Sequence, residues 1–136
     1  MSTQPLATRH VTGVRYRGSR PTHGDARALD AYTRAKVYQR AQAPVIYDEV
    51  VFPEHLRSTA EPDNLGAIGG VIAESVATAR RAGQAVLLTG GDCTYSTGLL
   101  GGLHAAHGPA APIGLVWFDA HGDGNTPRTT EVSQAR

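Results

Sequence analysis

Among its 136 residues the chain has one cysteine, one methionine, one tryptophan and two phenylalanines. A single cysteine excludes an internal disulfide and fits a reducing compartment, leaving Cys93 as either a small buried side chain or a ligand. Long apolar runs are missing too. The longest is about the length of Ile113–Phe118, far short of the roughly 20 residues a membrane-spanning helix needs. Met1–Pro5 shows no hydrophobic segment of the signal-peptide kind. The expectation is a soluble cytoplasmic protein without a membrane partner. Charge of one sign is lacking as well: 13 Lys+Arg against 12 Asp+Glu leave a formal net charge of +1, too little to track phosphates across a surface, so nucleic acid is not an expected partner.

Glycine and proline are plentiful, at 16 and 8 residues. They exceed the roughly 12% of an average chain without a collagen period or the charge excess of disorder, which points to a loop-rich globular fold. The length allows one domain at most.

Along the chain, Val11–Tyr16 is β-branched and aromatic. Turn residues follow in Arg17–Gly24, and Asp25 is placed to cap a helix running to about Ala41. Pro44–Pro53 reads as a second strand. Beyond a polar loop, Asp63 precedes Leu65, Ile68, Val71, Ile72, Val76 and Ala79, whose spacing is helical, with Gly83 as the stop. Ala85–Thr89 and Ile113–Phe118 are almost uninterrupted apolar runs separated by a helix over about Tyr95–Ala106. Strands of this kind alternating with helices predict an α/β fold in which a mainly parallel sheet is covered on both faces, a three-layer αβα arrangement. The arginines at 9, 15, 17, 20 and 27 are read as a solvated face rather than as an anion site.

In parallel sheets ligands bind beyond the carboxyl ends of the strands. Both polar motifs of this chain fall there. In Asp119-Ala120-His121-Gly122-Asp123 three potential ligands alternate with small residues. On extended backbone that period places Asp119, His121 and Asp123 on one side. Two carboxylates and an imidazole form a hard O/N donor set suited to Mn²⁺, Fe²⁺ or Zn²⁺. The plainer alternative is turn chemistry around Asp123-Gly124-Asn125. A cap needs one side chain, however, and two carboxylates grouped at a strand end repel unless a cation sits between them. In the second motif, Gly90-Gly91-Asp92-Cys93-Thr94-Tyr95-Ser96, an N-cap by Asp92 or Thr94 weighs as much as a functional role. It carries neither Gly-x-Gly-x-x-Gly nor a Gly-Lys-Ser/Thr ending, which ranks a nucleotide-binding domain low.

Taken together, Gly90–Thr94 and Val116–Pro127 resemble the arginase and agmatinase family, the ureohydrolases. The resemblance implies a binuclear manganese hydrolase in which a metal-activated hydroxide attacks the carbon of a guanidino or amidine substrate, in a homo-oligomeric protein. Asp119, His121 and Asp123 are similar in position to catalytic metal ligands, Asn125 to a substrate contact, and Thr130 falls near another. Cys93 stands where the family has a histidine ligand; a thiolate there would favour Zn²⁺ or Fe²⁺. The family's later ligand segments have no counterpart before Arg136. The expectation is therefore one partial ureohydrolase-like domain over 1–136, cut after about four strands and exposing an apolar edge. An isolated chain of that kind is expected to be inactive. The alternative is a catalytically inactive arginase-like binding or assembly module.

Overall fold

The computed structural model describes residues 8–21, 28–41, 43–90 and 92–120. Three strands form a parallel sheet: β1 (Arg9–Val14), β4 (Val45–Val50) and β5 (Ala85–Thr89), in the order β4-β1-β5. β1 is central, with Val11 opposite Tyr47 on one side and Leu87 on the other. Between β1 and β4 a short ribbon intervenes, β2 (Tyr16–Arg17) pairing antiparallel with β3 (Arg20–Pro21). Gly18 turns it at φ +58°, a conformation that costs glycine nothing.

Alternation along β1 divides its side chains between two layers. Thr12 and Val14 face α2 (Glu61–Arg81): the Thr12 hydroxyl lies 3.0 Å from that of Ser75, and Val14 joins Val50, Phe52, Ile68, Ile72, Val76 and Tyr95 in the core. On the opposite face Gly13 is closed in by the Tyr47 hydroxyl and by Leu29 of α1 (Ala28–Arg34). Helices on both faces of a parallel sheet are the predicted αβα class.

α2 begins at Glu61, with Pro62 in its first turn, two residues before the expected Asp63. Its start is held from outside. Ser58 N donates to Asn64 Oδ1 at 2.8 Å and Asn64 Nδ2 returns a bond to Ser58 O at 2.9 Å. Gly83, at φ +72°, follows its end as expected. α3 (Tyr95–His107) lies against α2 through glycines. A Cβ at Gly98 or Gly102 would come within 2.8 or 2.6 Å of the carbonyl oxygens of Gly69 and Ala73.

Three expectations are corrected. The helix foreseen up to Ala41 ends at Arg34, because Lys36 takes φ +54° and a 3₁₀ turn over Tyr38–Ala41 follows. Ile113–Phe118 forms no strand among the described residues; Leu115, Val116 and Phe118 are 65%, 76% and 95% exposed. An apolar run becomes a strand only if a neighbouring strand accepts its backbone bonds, and the outer edge of β5 does not take up this segment. The parallel sheet described therefore has three strands rather than about four. Lastly, Arg15 is no solvated charge. It bonds Asp30 at 2.6 Å and also pairs with Glu49, and these carboxylates, Asp30 foremost, hold its guanidinium more firmly protonated than usual.

Candidate functional site

Two described features meet near the carboxyl ends of the strands: the β2–β3 ribbon after β1 and the turn from β5 into α3. The β5–α3 turn is built around Asp92. Its Oδ1 accepts from Thr94 N at 3.0 Å and from the Thr94 hydroxyl at 2.7 Å, an Asx turn that starts α3. Its Oδ2 accepts from Gly18 N at 3.0 Å, reaching across to the ribbon. Burial pushes the Asp92 carboxyl up, but the bonds from Thr94 and Gly18 outweigh it and hold the group below the ordinary aspartate range.

Tyr95 completes the junction. Its buried hydroxyl lies 2.5 Å from Tyr16 O and 3.2 Å from Gly18 O, and burial foremost, with the Asp92 charge behind it, pushes its ionisation up. From the other side Glu61 accepts from Ser19 N at 3.1 Å and from the Ser19 hydroxyl at 2.9 Å, and these bonds hold its carboxyl below the usual range. The ribbon is thus pinned by α2 and α3 together.

Cys93 projects from the middle of this turn, exposed, while its carbonyl accepts from Ser96 N at 3.1 Å and Ser96 Oγ at 2.8 Å. Asp119 is described and exposed, one residue beyond Phe118. His121, Asp123, Asn125 and Thr130 lie outside the described residues. Among the described residues no group of three or more His, Cys, Asp or Glu side chains converges as a metal site would.

Beside the end of β5, on the α1 side, a cavity of about 420 Å³ is lined by Tyr32, Val37, Tyr38, Leu87, Leu88, Thr89 and Gly90. The hydroxyls of Tyr38 and Thr89 are buried there without a hydrogen-bond partner. Reading the residues alone missed the junction of Asp92, Tyr95 and Glu61 with the ribbon. The local Asp-x-Thr turn was legible, but nothing in the sequence tells that an aspartate will bond a backbone amide 74 positions away.

This architecture defines the class: a doubly covered parallel α/β unit with its polar turns at the carboxyl ends of the strands. The sequence matches the family model described as the Arginase family over residues 11–135, and the chain belongs to that family. It is 39% identical over 69 residues to the mitochondrial arginase-2 of Bos taurus, a match covering 51% of this chain and 19% of that protein. With the hepatic arginase of Aquarana catesbeiana it shares 33% identity over 89 residues, covering 62% of this chain and 27% of the relative. Human arginase-1 is 38% identical over 69 residues, covering 51% of this chain and 20% of the relative. The matched stretch thus spans between 19% and 27% of the length of these relatives. No solved structure matches.

Proposed function

We propose that the chain carries part of the metal-binding and substrate-binding apparatus of a manganese-dependent ureohydrolase acting on small guanidino or amidine compounds. The observation that supports this most is Asp119-Ala120-His121-Gly122-Asp123, lying inside the stretch that matches the arginase family. Its two carboxylates and imidazole suit a hard divalent ion, and Asp119, the described member, is exposed where the chain leaves its apolar run. When bound, a manganese pair supplies Lewis acidity and a nucleophile available near neutral pH. In this reading Asp119, His121 and Asp123 hold the metal, Asn125 and Thr130 orient the substrate, and the protein works as a cytoplasmic homo-oligomer.

Cys93 favours a second reading. A thiol where a histidine ligand is expected softens that position towards Zn²⁺ or Fe²⁺, or marks a module kept for binding or assembly after its chemistry was lost. Calorimetric titration of the wild type and of its Asp119 and Cys93 variants with Mn²⁺ and with Zn²⁺ separates the readings. Wild-type chain is expected to bind a divalent ion and Asp119→Ala to lose it. Cys93→His is expected to raise Mn²⁺ affinity at a re-tuned site and to do nothing at a silent one. Failure of Mn²⁺ and Zn²⁺ to bind both the wild type and Cys93→His would sink the metal reading.

A further inference from the structure

We infer that Asp92 is the positioning residue for Cys93: its carboxylate fastens the turn carrying the thiol to the Gly18–Ser19 turn of the β2–β3 ribbon, and so sets the direction in which Cys93 leaves the end of β5. The inference rests on reading Cys93 as a donor on the metal side of the site.

The two oxygens of Asp92 have different tasks. Oδ1 takes both bonds from Thr94, backbone at 3.0 Å and hydroxyl at 2.7 Å, and these alone would satisfy a helix start. Oδ2 takes Gly18 N at 3.0 Å, a bond that a cap does not need. With Ser96 bonded to the Cys93 carbonyl through its amide and hydroxyl, the backbone is held on both sides of position 93 while the thiol itself is exposed. A tether of this kind directs a side chain only if its far end is firm. Glu61 and Tyr95 make it so, bonding the same ribbon at Ser19 and at the carbonyls of Tyr16 and Gly18. The half-buried carboxylate thus joins β1's ribbon, the end of β5 and the start of α3 at one point.

Asp92→Asn tests this by dividing the two tasks. An amide keeps one acceptor for Thr94 but can turn only an N–H₂ towards the Gly18 N–H. By NMR the Gly18 amide is expected to exchange about tenfold faster, as loss of a bond worth about 1.4 kcal/mol requires, while Thr94 stays protected. The Cys93 Cβ shift and χ1 coupling are expected to move towards rotamer averaging. Asp92→Glu, which retains the charge but displaces the carboxylate, is expected to perturb Cys93 in the same direction and decides the matter if the asparagine variant does not fold. Release of Gly18 with Cys93 unchanged in rotamer and shift overturns the inference. A Co²⁺ titration of the same proteins keeps the two claims apart. A thiolate-to-cobalt absorption band in the wild type that weakens in Asp92→Asn supports positioning. A wild type without the band removes the metal reading of Cys93, and the rotamer measurement still judges Asp92.

Discussion

Two buried hydroxyls near the end of β5 stand in opposite circumstances. That of Tyr95, a residue 3% exposed, reaches the carbonyls of Tyr16 and Gly18. That of Thr89, a residue 7% exposed, meets no partner. A buried hydrogen bond is worth little net, but leaving its acceptors unsatisfied costs about 1–3 kcal/mol, so Tyr95→Phe is expected to destabilise the fold by that amount in urea unfolding. Thr89→Val is expected to act in the opposite sense. It keeps the shape, removes a polar group dehydrated for no return and suits a strand, for a gain of about 1 kcal/mol. Equal destabilisation by both substitutions would mean that the Thr89 hydroxyl is satisfied in solution.

Among the elements, α2 and α3 pack closely through glycines, and these glycines are not equivalent. A Cβ at Gly102 would stand 2.6 Å from Ala73 O and from Val76 Cβ, whereas one at Gly101 would meet Ala73 Cβ at 3.6 Å, an ordinary contact. Gly102→Ala must push backbone apart and is expected to cost about 1–3 kcal/mol. Gly101→Ala relieves the entropy cost of a helical glycine and is expected to contribute about 0.5–1 kcal/mol. Chemical denaturation of the two variants checks the contrast, and a Gly102→Ala protein as stable as the wild type would show that the helices can separate freely. At this scale the sequence was most informative. The period of Leu65, Ile68, Ile72 and Val76 and the stop at Gly83 are local signals, and α2 follows them. The early end of α1 at Arg34 was hidden, because nothing in Arg34-Ala35-Lys36-Val37 announces a lysine at φ +54°. Within the site, the alternating ligand motif was legible from residue type and spacing alone. The junction of Asp92 with Gly18 was not, since it depends on how β1 and α3 come together in three dimensions.

At the scale of the whole molecule the sheet is unevenly protected. β1 is central, but β5 keeps an outer edge to which no described strand pairs, and its Leu87 is 47% exposed. Leu115, Val116, Trp117 and Phe118, which read as a buried strand, instead lie exposed in succession. Apolar periodicity reports which residues prefer burial, not whether a surface is present to bury them, and here the preference is left unmet. An exposed apolar run of this kind favours self-association. The chain is expected to sediment as a mixture whose mean mass grows with protein concentration. Val116→Lys together with Phe118→Lys is expected to return it to a monomer without lowering the unfolding midpoint, since neither side chain belongs to the buried core. The single tryptophan lies inside the run and reports on it directly. Trp117 emission is expected to shift to shorter wavelength as concentration rises in the wild type and to stay fixed in the double variant. Identical, concentration-independent sedimentation of the two proteins would mean that the run finds its cover within the same chain.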